Sequence, residues 1–229
     1  LLLIRLGYEE RVGGAWIHPE GRTAVFLGDV VDRGPRIVES MVRVTAMVKE
    51  GTALFVPGNH DERFVAFLMG GDPPADYGLE ETIAQLETTD EDGRSRLIEG
   101  FLDIYLEAPP YLWLDDGKLV AAHGGLEEGM HGRFDREVWQ FCLMGKLADD
   151  PTWPLLVRRV DWAADYQGEA LVAYGHTPCP GPRVVNNTVN LDQGCVFGGH
   201  LSALRYPERS IATVPAARAY FVPGRPAVP

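Results

Sequence analysis

The sequence predicts an α/β fold, in which short buried strands run into polar loops and the loops into helices. Apolar runs rich in β-branched and aromatic residues recur along the chain, as at 23–27, 52–56 and 170–174. Each of these ends in a polar loop containing glycine, and between the first two Ile37, Met41, Val44 and Val48 repeat at three- and four-residue spacing. Short apolar runs bounded by glycine read as buried strands, and the repeat between them reads as an amphipathic helix.

Taken in order, residues 1–8 look like the last turns of an apolar helix closed by Gly7. From 9 to 22, Gly13, Gly14, Pro19 and Gly21 make a loop feeding the first strand at 23–27. Gly28-Asp29-Val30-Val31-Asp32-Arg33-Gly34 follows, and Pro35 opens a helix that ends at Gly51. A second strand at 52–56 leads to Pro57-Gly58-Asn59-His60-Asp61, and helix resumes over 64–69 until Gly70, Gly71, Pro73 and Pro74 break it. Helical periodicity returns at 79–86 and 94–106 and stops at Pro109-Pro110. Residues 111–114 and 118–122 flank Asp115-Asp116-Gly117, a hairpin signal, and the second strand runs into His123-Gly124-Gly125. Over 126–167 the pattern is interrupted by Gly129, Gly132 and Gly145 and again by Pro151 and Pro154. A strand at 170–174 leads to Gly175-His176-Thr177-Pro178, and short β-like runs follow at 183–185, 188–191, 202–206 and 211–214. Pro223, Pro226 and Pro229 punctuate a linker-like tail.

At 229 residues the chain suits one large domain. No apolar run approaches the roughly 18 residues of a membrane span, and the first residues are too short for a secretory signal, so the expected setting is cytoplasmic with no membrane partner. Lys and Arg number 21 against 33 Asp and Glu, a net charge of −12, which opposes binding along a polyanion and restricts any nucleic-acid contact to a local one. Cys142, Cys179 and Cys195 form no C-x-x-C pair, which points to reduced, buried thiols and away from a disulfide framework or a thiolate zinc site.

Four times a strand ends in a short loop carrying potential metal ligands: Asp29 and Asp32, Asn59 and His60, His123, and His176. Taken singly, each has a plain structural reading, as helix cap, ion pair, turn former or core histidine. Their shared position at strand ends favours a metal site, because open α/β folds assemble ligand sites there. Carboxylate, amide and imidazole without thiolate suit manganese, iron or zinc.

Gly28-Asp29-x-x-Asp32-Arg33-Gly34, Gly58-Asn59-His60-Asp61, His123-Gly124-Gly125 and Gly175-His176-Thr177 resemble successive motifs of the calcineurin-like metallophosphoesterases, in the phosphoprotein phosphatase branch. The segments 174–178, 185–188, 191–199 and 204–208 are further similar to the central phosphatase domain of bacterial polynucleotide kinase-phosphatase. The resemblance implies a sandwich of two mixed β-sheets flanked by helices over residues 1–222, with a helical insertion at about 78–108 and a Pro-rich tail at 223–229. It implies two divalent ions, manganese first, with iron, zinc or nickel as alternatives. Asp29 would bridge both, and Asn59, His123 and His176 would complete one site. Arg33 would hold phosphoryl oxygens, His60 would protonate the leaving oxygen with Asp32 orienting it, and Asp192 would contact substrate or simply form a turn.

The activity so implied is in-line hydrolysis of a phosphate ester by a metal-activated hydroxide. The leading substrate is the 2′,3′-cyclic or 3′ phosphate of an RNA 3′ end, with kinase and ligase domains on the same longer polypeptide. Alternatives are a symmetrical dinucleoside tetraphosphatase, a serine/threonine protein phosphatase, or a scaffold domain that has lost catalysis. One departure stands out: the family's first motif, Gly-Asp-x-His-Gly, has no match here, since His18 precedes Pro19 with no Asp two residues before it. The expectation is a chain truncated just upstream of Leu1, and weakly active or inactive by itself.

Overall fold

Two parallel strands, β3 (Ala24–Phe26) and β4 (Ala53–Phe55), are joined by helix α2 (Ile37–Lys49), so the strand, polar loop, helix repeat is real. The computed structural model describes residues 1–73, 77–148 and 159–222. Pro74, Pro151, Pro154 and the tail with Pro223, Pro226 and Pro229 lie outside them.

Before β3 come α1 (Leu2–Leu6) and a two-stranded hairpin of β1 (Glu9–Glu10) and β2 (Trp16–Ile17). Gly7 closes α1 at φ 95°, and the Tyr8 amide reaches back to the Leu3 carbonyl at 3.0 Å, the reversal for which a left-handed glycine is used. Residues 9–22, expected to be loop throughout, thus contain the β1–β2 hairpin.

After β4 come α3 (Asn59–Leu68), α4 (Leu79–Glu87) and α5 (Glu91–Glu107). Helices α2 to α5 share a core of Ile37, Met41, Phe55, Phe64, Leu79 and Phe101 with their buried neighbours. The expected insertion at 78–108 is therefore packed helix, with α4 and α5 both against α2. Helix α3 begins earlier than its apolar spacing suggests, because Asn59 and His60 form its first turn while Phe64 and Val65 carry its buried face.

The chain then builds a five-stranded mixed sheet in the order β5 (Tyr111–Leu114), β6 (Leu119–Ala122), β7 (Leu171–Tyr174), β9 (Thr188–Asn190), β8 (Arg183–Val185). Strands β6 and β7 are parallel and buried at every position, as a sheet covered on both faces requires. Val120, Ala122, Val172 and Tyr174 face α6 (Arg136–Met144) and Trp162. Leu119, Leu171 and Ala173 face the other way, onto Leu204, Tyr206 and Ile211. Those last residues belong to or adjoin an antiparallel sheet of β10 (Asp192–Gln193), β11 (His200–Arg205) and β12 (Ser210–Pro215). The α/β class stands, and among the described residues the strands pair in four sheets.

Helix α6 lies in the stretch whose glycines obscured the pattern. Asp135 caps it, accepting from the amides of Glu137 and Val138, and Val138, Phe141 and Cys142 are buried. Gly145 does not interrupt this helix but ends it.

Candidate metal centre and its surroundings

Strand β6 ends at Ala122 and delivers His123, β7 ends at Tyr174 and delivers His176 two residues later, and the β3 and β4 ends deliver Asp29 and Asn59. The Gly175 amide donates to the His123 carbonyl at 2.7 Å, which ties the first two together. His123 Nε2 lies 3.1 Å from Asn59 Oδ1, 3.0 Å from His176 Nδ1 and 3.5 Å from Asp29 Oδ1. The four expected ligands meet at one point.

Electron-pair geometry tests whether a cation suits them. The other His123 nitrogen, Nδ1, is 2.6 Å from the Leu27 carbonyl, which only accepts, so Nδ1 carries the proton and Nε2 presents a lone pair. That lone pair faces two oxygens and a second imidazole nitrogen, an arrangement of donors that a divalent ion fits, with the Leu27 carbonyl as the outer partner fixing the ring. His176 is pushed down to about 2 by burial, by His123 and by the Arg159 guanidinium, so its imidazole is neutral, the ligating form. Burial pushes the Asp29 carboxyl up, but its surroundings, among them the His60 amide that donates to Oδ1 at 3.1 Å, hold it below its ordinary range.

Among the described residues, the carboxylates, imidazoles and thiols that could together hold an ion are Asp29, His123 and His176. His18 is not with them: its Nε2 is 3.1 Å from the Leu6 carbonyl and its ring stands edge-on to Tyr8.

Beside the ligands sits a second constellation. Asp32 Oδ2 is 2.6 Å from His60 Nδ1, and both residues are buried, so Asp32 holds the ring with Nε2 as the other nitrogen. Arg63 Nη2 lies 2.8 Å from His60 Nδ1 and 3.6 Å from Asp32 Oδ2. The Arg33 guanidinium carbon is 5.7 Å from the Phe197 ring centre and 5.1 Å from that of Phe221, contacts within cation–π range. Asp29, Asp32, Arg33 and His176 all have left-handed backbone, at φ 54°, 70°, 58° and 70°, a conformation that costs non-glycine residues of order 1–3 kcal/mol each.

The loop is clamped by Asp61. Fully buried, it accepts from the amides of Asp29 at 2.7 Å, Val30 at 2.9 Å and Gly58 at 2.9 Å. Burial and the Asp29 charge push its carboxyl up to about 7 against the pull of those three amides. Gly58 and Gly28 permit the approach: a Cβ on Gly28 would lie 2.2 Å from the Gly58 nitrogen, and one on Gly58 would lie 2.3 Å from Asp29 Oδ1.

Asp192 forms the expected turn and lies beside the centre. Its Oδ1 accepts from the Gly194 amide at 2.9 Å, the side chain of a turn former. Burial and the Asp29 charge also push its carboxyl up, while His123 and Arg159 act against them, so it borders the centre. Sequence reasoning missed Arg63, Arg159, Phe197 and Phe221. Arg159 donates weakly to the His176 carbonyl at 3.5 Å and to Thr177 Oγ1 at 3.4 Å, and no motif marked it. The centre opens into a cleft of about 2370 Å³ lined by His60, Arg33, Arg159 and Tyr77, which continues past β3 to α1 and β11.

Comparison with known proteins gives the family. Residues 9–202 match the family model described as calcineurin-like phosphoesterase. Among curated proteins, the chain is 42% identical over 216 residues to the asymmetrical bis(5′-nucleosyl)-tetraphosphatase PrpE of Anoxybacillus flavithermus, covering 92% of this chain and 88% of that one. It is 41% identical over 221 residues to the protein of the same name from Bacillus subtilis, covering 96% and 89%. A crystal structure provisionally assigned as a diadenosine tetraphosphatase shares the fold, with a TM-score of 0.59, 23% identity, and coverage of 85% of this chain and 80% of that one. These relatives lie with the tetraphosphatase alternative and not with the kinase-phosphatase favoured from sequence, and the two PrpE proteins are named asymmetrical where the alternative was a symmetrical enzyme. By its matched residues and its relatives, the chain is a phosphoesterase of the calcineurin-like phosphoesterase family.

Proposed function

We propose that this protein hydrolyses dinucleoside tetraphosphates asymmetrically, releasing a nucleoside triphosphate and a nucleoside monophosphate. The single observation that carries the substrate is the 42% identity, over 92% of the chain, to a tetraphosphatase of that specificity. The centre supports the chemistry. Asp29, Asn59, His123 and His176 would hold a divalent ion, which when bound polarises a phosphoryl oxygen and lowers the pKa of water.

The chain's own residues do the rest. Arg33 presents a planar fork of N–H donors to phosphoryl oxygens, and Arg159 adds a second guanidinium on the same cleft. Two such cations suit a polyphosphate better than a lone terminal phosphate. His60, with Nδ1 held on Asp32, offers Nε2 to protonate the leaving oxygen. Phe197 and Phe221 flank Arg33 and limit the directions its guanidinium can take. The acidic chain, at −12, is better matched to a small nucleotide than to an RNA strand.

The test is a single-turnover assay with manganese-loaded protein in excess over diadenosine tetraphosphate, products separated by ion exchange. ATP plus AMP is the expected result. Two molecules of ADP would make the cleavage symmetrical, and processing of an RNA 2′,3′-cyclic phosphate alone would restore the RNA-repair reading; because weak turnover is expected of this chain by itself, the protein is kept in excess, and manganese bound with hydrolysis of neither substrate would refute the proposal.

A further inference from the structure

Helix α4 turns one face to the loop that carries Asp32 and Arg33. Thr82, wholly buried, accepts from the Asp32 amide at 3.0 Å and donates to Asp32 Oδ1 at 2.7 Å. One turn on, Gln85 Oε1 accepts from the Ile37 amide at 2.6 Å and its Nε2 donates to the Gly34 carbonyl at 2.8 Å. One turn before Thr82, Gly78 has φ 104°, and a Cβ there would lie 2.6 Å from Arg33 Cγ and 2.9 Å from the Arg33 nitrogen. Positions 78, 82 and 85 recur at helical spacing, so a single stripe meets the loop along its length.

We propose that α4 is the positioning element of the site: Thr82 sets Asp32, and through it His60, while Gln85 fixes the turn that bears Arg33. The inference rests on the phosphoesterase reading above. Asp32 and Arg33 are left-handed, and such residues persist only where their surroundings over-determine them. Two side chains supply partners for four groups of that loop, the Asp32 amide and carboxylate, the Gly34 carbonyl and the Ile37 amide. A valine would fill the space of Thr82 equally well, so its hydroxyl has one job here, to hold Asp32. Asp32 in turn spends its second oxygen on His60, and misplacing a reacting group by about 1 Å costs on the order of 100-fold in rate.

The experiment compares Thr82→Val, Thr82→Ser and Gln85→Leu by steady-state kinetics of the metal-loaded protein and by amide hydrogen exchange. Thr82→Val, which keeps the shape, is expected to lower kcat by up to roughly 100-fold, the cost of misplacing a reacting group by about 1 Å, with KM little changed. Thr82→Ser, which keeps the hydroxyl, should retain most of kcat. Exchange protection should fall at the Asp32 amide in Thr82→Val and at the Ile37 amide in Gln85→Leu. Unchanged protection at both amides would overturn the proposal whatever the activity, and so would equal kcat in the valine and serine variants with only the melting temperature reduced. If the wild type hydrolyses no phosphate ester, the functional reading fails, and the exchange data alone decide whether α4 holds the loop.

Discussion

His123 and His176 follow directly on strands of the five-stranded sheet, whereas Asp32, Arg33 and His60 sit on a loop and a helix end that other side chains hold in place. On the sheet side the backbone does the positioning. Strands β6 and β7 are buried and parallel, the Gly175 amide joins the His123 carbonyl, and the Gly124 amide joins the Cys142 carbonyl at 2.5 Å. On the loop side the same accuracy comes from Asp61, Thr82 and Gln85, spread over two helices. Of the four candidate ligands, His123 and His176 hang from these parallel strands, while Asp29 shares its loop with Asp32 and Arg33, and Asn59 opens the same helix as His60. The groups proposed to meet a substrate phosphate are held by replaceable side chains, so the two sides should fail differently.

The largest expected effect is on the sheet side. His123→Ala removes the imidazole that faces all three other ligands, and divalent affinity should fall by on the order of 100-fold or more, since even an outer partner of a metal-bound histidine costs roughly 10–100-fold. Metal content of the purified variant by mass spectrometry reads this without an activity assay. Manganese retained at wild-type stoichiometry would show that the convergence is not a metal centre.

On the loop side, Asp61→Ala leaves three buried amides without partners, and the metal-free protein should lose about 3 kcal/mol or more in urea unfolding. This loss has a sign with pH. Asp61 is raised from 3.8 to about 7 in the fold, so its contribution is full below the unfolded value and is lost as pH rises through 7. The stability gap between wild type and variant should narrow from pH 5 to pH 8. A gap that widens would mean that the amides, not burial, set the protonation of Asp61.

The same contrast explains what could be read from sequence. The four candidate ligands were legible because each follows an apolar run and a glycine-bearing loop, and four repeats of one local pattern survive without knowledge of the sheet order. The Asp32, Arg33 and His60 constellation came from family resemblance, and the structure places all three together. Thr82 and Gln85 were illegible: each acts on a residue about fifty positions away, and on an amphipathic helix a lone Thr or Gln looks like any polar face. Arg63 and Arg159 were hidden for the same reason, one as an ordinary helical charge and one in a stretch broken by proline. Helix α6 was missed although its signals were present, because Gly132 and Gly145 stand just outside it and were counted as interruptions within it.

The smallest effect tests how stiff the sheet side is. Cys142 lies on α6 under the five-stranded sheet, 1% exposed, and its carbonyl holds the Gly124 amide next to His123. Burial pushes its thiol up to about 12, so at pH 8 almost none is thiolate, the reactive form. Native protein treated with a thiol reagent at that pH should leave Cys142 unmodified for as long as the fold holds, while urea-unfolded protein should label it at once, both read by peptide mass spectrometry. Because Cys142 packs among Val120, Val138, Phe141 and Val172 behind the sheet, Asp61→Ala at low urea should leave it protected even as the Asp29 and Val30 amides begin to exchange. If Cys142 labels in step with those amides, the two sides open together and their separation is only geometric; if it stays protected, His123 and His176 keep their places on the sheet while the loop that carries Asp29, Asp32 and Arg33 moves.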